Sequence, residues 1–437
     1  MKFSSLARPT QSTHVLFLAL SLLCAPLCAK EKTPQSAGYA RQYIKAALKC
    51  VAHADKNLPA ITRLAEIVAK RHLAGGKIGS VFNGQMLAEE LTGRSGGMIN
   101  YGFGRGWDEA QRTPQEDANN VALISWERAP NPGDLAQVKK LKADGTFIIA
   151  IGPRALPELA AFVPLADAWL DTGLGADDRL IALPNGTYAV PGNALANMLN
   201  GWALIAEVVG ALTRRGVMPP LYQSYLTETG RDWGTRYVHK KQFHDDLKIA
   251  PQRKGKLGRA FLKQIRENIE RFRDTQMDGV EKATKLIIDE SRTGRKTLVA
   301  MMGHAPSYYV GKYEDAAWTT PIDYAVPGVP AHAKNYDNTP DGALVLRLGY
   351  TGMHQEEVAA FTAKHQRVIL LTTPNPRPEW QIPEDKVLVH IDMGYAYGDA
   401  AVTIPGYPIR VLPPSGIMQL IAYESINSEV LAALSLA

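Results

Sequence analysis

Tyr350, Thr351, Gly352 and His354 stand in the turn of "ALVLRLGYTGMHQEEVAAFTAK", between an apolar run that reads as a strand and an amphipathic run that reads as a helix. In an open parallel sheet, ligands bind beyond the carboxyl ends of the strands, where free N–H groups at a helix N-terminus carry partial positive charge. The Thr351 hydroxyl, those N–H groups and His354 can therefore converge on an anion. A plain helix cap at Thr351 and a plain tight turn at Gly352 fit the same spacing. The corresponding turn of the first half, "SWERAPNPGD", offers Ser125, but bulky Trp126, two prolines and Glu127 follow, and Glu127 would repel a phosphate. As an anion cradle that turn reads as damaged.

Other chemical motifs fail on inspection. "GFGRGW" has Trp107 where the third glycine of a dinucleotide fingerprint belongs, and "GHAPSYYVGKY" has Pro306 and Tyr313 where a phosphate loop needs Gly and a Mg²⁺-binding hydroxyl. The chain has no HExxH, no GxSxG and no paired CxxC, so neither a metal nor a cofactor is expected.

The elements that position these turns recur. "ITRLAEIVAKRHLAGG" leads into strand "KIGSVF" and turn "NGQ", as "VEKATKLIIDESRTGR" leads into "KTLVAMM" and "GHAPS". Further on, "NNVALISWERAPNPGDLAQVKKLKADGTFIIAIGP" and "DGALVLRLGYTGMHQEEVAAFTAKHQRVILLTTP" both read strand, polar turn, helix, strand. The offset between halves is about 220 residues, the mark of one unit used twice. Continuous apolar strands alternating with helices predict parallel sheets covered on both faces. Each half is thus expected to be a doubly wound α/β structure, with Asn193 and Ser415 capping the two closing helices and Gly216 ending the first of them.

The totals fit a globular protein of two domains: 46% of residues are hydrophobic and 21% charged. Residues 1–29 read as a signal peptide, with Lys2 and Arg8 ahead of the apolar run Val15 to Cys24, which is too short and too broken by Pro26 for a bilayer span. Cleavage after "PLCA" implies a secreted or periplasmic protein with no membrane association once the signal is gone. Leu27 before Cys28 argues against lipidation. Only Cys50 of the three cysteines then remains, so no internal disulfide is expected. The net charge of +6 is a mild bias, and the densest basic stretch, "KIAPQRKGKLGRAFLKQIR", holds one aromatic and reads as a solvated linker rather than a nucleic-acid surface.

Four segments carry a family resemblance. "AGGKIGSVFNGQMLAEELTGRSGG", "VALISWERAPNPGDLAQVKKLKADGTFIIAIG", "NALANMLNGWALIAEVVGALTRRGVMPPLYQSY" and the turn of the second half resemble sugar isomerase (SIS) domains. These are phosphosugar-binding α/β modules, found in the isomerase half of glucosamine-6-phosphate synthase and in phosphoheptose isomerase. The resemblance implies two tandem SIS domains, 38–245 and 259–437, each a three-layer α/β/α sandwich around a parallel, flavodoxin-like five-stranded sheet. It implies a sugar or sugar-phosphate ligand and leaves open a homodimer, isomerase or lyase activity and a non-catalytic role, since the family includes a lyase-like etherase and sensors as well as isomerases. Isomerisation needs a base to move a proton between C1 and C2 and a donor to open the ring. By resemblance Glu90 is the base, with His304 and His354, at two strand ends of one domain, as donors. A solvated helix face or an ion pair with Arg94 accounts for Glu90 as well. Asn83 and Gln85 would bond sugar hydroxyls, and Ser307 would join Ser125, Tyr350, Thr351 and Gly352 as ligand-binding groups.

Overall fold

In the structure, a computed structural model, residues 37–81, 86–102, 118–127, 129–175, 177–238, 240–303, 309–323, 338–374, 383 and 385–436 are described. The segment 1–29 read as a signal peptide lies outside them, as do Asn83, Gln85, His304 and Ser307.

The apolar runs become two parallel sheets. After the long helix α1 (Gly38–Leu73), the first half contributes β1 (Ile78–Ser80), α2 (Met86–Leu91), β2 (Val121–Ser125), α3 (Asp134–Ala143), β3 (Phe147–Gly152) and β4 (Ala168–Asp171). A two-stranded antiparallel hairpin, β5 (Arg179–Ala182) and β6 (Tyr188–Pro191), then leads into α4 (Asn193–Thr213) and the short α5 (Gly230–Tyr237). The second half opens with α6 (Lys256–Thr275) and α7 (Met277–Arg292). It continues through β7 (Thr297–Met301), β8 (Thr319–Asp323), β9 (Leu344–Leu348), α8 (Gln355–Ala363), β10 (Arg367–Thr372) and β11 (Val387–Asp392) to the closing helix α9 (Ser415–Leu434).

The second sheet has the order β8-β7-β9-β10-β11, with every pairing parallel. Within its half that is the order 2-1-3-4-5 of a flavodoxin-like sheet. The first sheet, β1-β2-β3-β4, has four strands among the described residues rather than the expected five. Tyr101 makes a single parallel bridge to Ile78, and the Gly102 N–H donates to the Ile78 carbonyl at 2.7 Å, in the place on β1 that β8 holds on β7.

Alternation along each strand makes the layers. Val121 and Leu123 of β2 face the main core while Ala122 and Ile124 face a smaller cluster with Val138 and Leu141 of α3. Leu344, Leu346 and Leu348 of β9 face the main core while Val345 packs with Phe361 of α8. Both faces are buried, as continuous apolar strands require. The main core is shared by the two halves: α1, α4, α6, α7 and α9 all contribute, and Ala37–Ala437 form one compact unit. By length and composition α4 could cross a membrane, yet it is buried throughout, as the core helix of such a layered fold would be.

Elements of like type and order lie about 220 residues apart in the two halves, and one backbone detail is alike as well. Val190 (φ 66°) and Leu412 (φ 65°) each stand three residues before a closing helix, in a left-handed conformation that bulky residues rarely adopt. The cap positions fall one residue before the expected Asn193 and Ser415, to Gly192 and Pro414, which offer no side-chain bond. Instead an aspartate receives the first N–H of each: Asp178 from Asn193 at 2.9 Å, Asp399 from Ser415 at 3.1 Å. Gly216 (φ 80°) does end α4. The stretch expected as a solvated linker is fastened down. Glu207 of α4 accepts the N–H groups of Gly255 and Gly258, and Gln252 is buried against Thr213.

Candidate functional site

Where successive connections leave a parallel sheet in opposite directions, a crevice opens at the carboxyl ends of the two strands concerned. In the second sheet these are β7 and β9, whose chains leave the sheet at Met302–Gly303 and at the turn 349–354. Met302 N–H donates to Leu348 O at 2.8 Å between the two strand ends.

The turn is held from beneath. Arg347, the one charged residue in the apolar run of β9, is fully buried and forks onto Glu357 of α8, Nε to Oε1 at 2.9 Å and Nη2 to Oε2 at 3.2 Å. The same guanidinium donates to the carbonyls of Thr351 (2.6 Å) and Gly352 (3.2 Å). The turn therefore aims these carbonyls inward at a cation. Because C=O and N–H of a trans peptide point opposite ways, the N–H groups of Gly352 and Met353 face away from the guanidinium. Thr351 is also not the cap of α8. That position falls to His354, whose Nδ1 lies 3.1 Å from Glu356 and whose ring is partly exposed.

Above the turn the first half reaches in. Glu90 of α2 and Arg94 just beyond it are both buried, with Arg94 Nε 3.4 Å from Glu90 Oε1. Arg94 donates to the hydroxyls of Tyr350 and Ser415, and lies 3.4 Å from Asp399. Ser415 in turn donates to Asp399 at 2.8 Å, and the Trp202 indole N–H to Glu90 Oε1 at 3.2 Å. The predicted Glu90 and Tyr350 are thus brought together from opposite halves, through an arginine. The N-terminus of α9 closes over them: a side chain at Gly416 would run into both carboxylate oxygens of Glu90.

One cation faces two acids here, and burial decides their protonation. Loss of solvent pushes the Glu90 carboxyl up to about 7, against the pull of Arg94 and with the help of Asp399. Asp399 is also raised by burial, against Arg94 and Ser415. Burial would lower Arg94, but Glu90 and its other neighbours raise it instead, so it stays charged. Glu90 is therefore the group that can exchange a proton near neutral pH. Several buried polar atoms of this neighbourhood have no hydrogen-bond partner among the described residues: Glu90 Oε2, Thr351 Oγ1, Tyr395 OH and Gln419 Oε1. Gln419 stands one turn beyond Ser415 on α9, and its amide nitrogen donates to Met302 O at 2.9 Å.

The first sheet's crevice is filled by the protein itself. Glu127, buried, accepts the N–H groups of Met86 (3.0 Å) and Leu87 (3.3 Å) at the start of α2, and Asn197 Nδ2 of α4 donates to it at 3.3 Å. Ser125 donates to the same carboxylate at 3.5 Å. Burial raises the Glu127 carboxyl, and the bonds from Asn197, Met86 and Leu87 oppose that. Ser125 is thus spent on an internal anion. Near the start of α4 lies a cleft of about 490 Å³ lined by Asp177, Asp178, Arg179 and Glu314, in which Arg179 pairs with Asp177 at 2.7 Å.

Sequence reasoning singled out Glu90, Tyr350 and Thr351 but missed Asp399, Gln419 and Tyr395, and saw Arg94 and Ser415 only as an ion-pair partner and a cap. Arg347 carried a legible signal, a charge inside a strand otherwise buried on both faces. Asp399 lies in "YAYGDAA", with nothing around it to distinguish it from a loop acid.

No family model matches the chain, and no curated protein does. Among solved structures it is similar to the C-terminal domain of glucosamine-fructose-6-phosphate aminotransferase from Francisella tularensis, at 9% identity, 90% coverage of this chain, 96% of that one and a TM-score of 0.47. It is also similar to a sugar-binding protein candidate from Salmonella typhimurium (9% identity, 90% and 99% coverage, TM-score 0.46). A phosphosugar isomerase candidate from Silicibacter pomeroyi matches as well (11% identity, 91% and 97% coverage, TM-score 0.44).

Proposed function

We propose that the protein is an SIS-type binder of a sugar or sugar derivative, and that the ligand is taken at the crevice between β7 and β9. The supporting observation is a set of buried polar atoms near there, from both halves, that have no hydrogen-bond partner among the described residues. Each such atom costs about 1–3 kcal/mol if it stays unbonded, and one crevice holding several points to a polyhydroxylated partner. Glu90 is the group placed to move a proton on that ligand, because a carboxyl near 7 is matched to acid and base work at neutral pH. A second, non-catalytic reading is favoured by the closure of α9 over Glu90.

A panel of glucosamine 6-phosphate, glucosamine and N-acetylglucosamine in thermal unfolding tests the proposal, since a ligand at 100 times its Kd stabilises by about 2.7 kcal/mol. A shift with any of them is the expected result, and aldose–ketose conversion of that sugar separates enzyme from binder. Export, to which the N-terminal sequence points, would favour an unphosphorylated ligand, and the panel distinguishes the two. No shift with any sugar would remove the reading.

A further inference from the structure

A second cleft, of about 280 Å³, lies beyond the carboxyl ends of β10 and β11. Its lining includes Arg271 and Gln264 of α6, Arg410, and Tyr395 and Tyr397 of the loop after β11, and none of Glu90, Arg94, Tyr350 or Ser415. The two arginines are its distinctive feature. Elsewhere the guanidinium groups of Arg179, Arg214, Arg236, Arg273 and Arg295 lie against carboxylates. Arg271 and Arg410 are steadied by neutral acceptors instead, the Asn268 side-chain oxygen at 3.4 Å and the Ala401 carbonyl at 2.8 Å. Neither is within ion-pair distance of an acid among the described residues.

The surroundings hold this arrangement. Asn268, 2% exposed, accepts a further bond from Gln264 at 3.0 Å, which fixes the oxygen that meets Arg271. Gly394, at φ 78°, turns the chain tightly against α6, and a side chain there would come within 3.7 Å of Arg271 Nε. The one acid in the lining, Asp392, has its Oδ1 bonded to the Gly394 N–H at 2.8 Å, so it is turned toward its own loop. Two fixed cations against one acid leave the cleft positive. Guanidinium groups suit oxyanions because they present paired donors in a plane.

We propose that this cleft binds a small molecule carrying a carboxylate or phosphate. The two sites adjoin at Tyr395, but this proposal rests on Arg271 and Arg410, which the crevice at β7 and β9 does not use. Calorimetric titration of the full chain with inorganic phosphate, glucuronate and glucose tests it, against R271Q, R410Q and the double variant. Phosphate or glucuronate should bind, each single variant should weaken binding about tenfold, and the double variant should abolish it. R410K should recover part of the loss, and added salt should weaken the wild type. Phosphate alone binding identifies a phosphate site, and glucuronate alone a sugar-acid site. Glucose binding as well as glucuronate, no anion binding at all, or anion binding that survives the double variant would each overturn the proposal. Both arginines are exposed, so these substitutions leave the core intact.

Discussion

Replacing Glu90 by glutamine isolates the proton on which the proposed chemistry depends. Burial raises the carboxyl from an ordinary 4.5 to about 7, so between those values the folded protein holds a proton that the unfolded chain has released. Stability then falls as pH rises through that window, by about 1.4 kcal/mol per unit at most, or on the order of 3 kcal/mol across it. A glutamine in this place would mimic the protonated form: its amide oxygen can still accept from Trp202, and no charge has to be buried as pH rises. Urea unfolding of wild type and E90Q at pH 4.5, 6, 7 and 8, followed by circular dichroism, reads the difference directly. Taking the difference cancels the other buried acids, such as Glu424. E90Q should gain on the wild type by roughly 3 kcal/mol between pH 4.5 and 8. A difference that stays flat, or turns against E90Q as pH rises, would show that Glu90 is ionised and bound to Arg94 throughout, and would refute the assignment.

Two more perturbations probe the frame. R347Q leaves Glu357 buried without its cation and strips two turn carbonyls of their donor, so urea unfolding should show a loss of roughly 3–5 kcal/mol; a loss under about 1 kcal/mol would mean the turn stands without it. Burial raises the Glu424 carboxyl to about 8, so it opposes folding increasingly from about pH 4.5 up to that value. E424Q should flatten the fall in stability over this range, and an unchanged slope would contradict the assignment.

The sheets were legible because a strand buried on both faces has to be apolar along its length, as "VALIS", "FIIAI" and "VILLTT" are. The like order of elements in the two halves was legible for the same reason, since the apolar runs recur in order. What eluded reading was who meets whom. Glu90 could be picked out, but its neighbours Tyr350, Asp399 and Ser415 lie more than two hundred residues away, and they meet where the start of α9 and the loop before it pack against Glu90 and Gly96. Thr351 and Gly352 were identified as a loop that could hold something. Which way their carbonyls point was decided by Arg347 beneath, which spacing alone could not reveal. Glu127 was seen as hostile to a phosphate. In the structure the objection takes physical form, because the carboxylate itself occupies the helix N-terminus.

Thr351 offers the most direct test of the ligand site. Its hydroxyl is fully buried with no hydrogen-bond partner among the described residues, so T351V removes a polar atom that folding does not use. Calorimetric titration of glucosamine 6-phosphate and glucosamine into wild type and T351V should show equal or higher stability of the variant with affinity reduced about tenfold. Undiminished affinity in a folded T351V protein would place the sugar elsewhere and contradict the account.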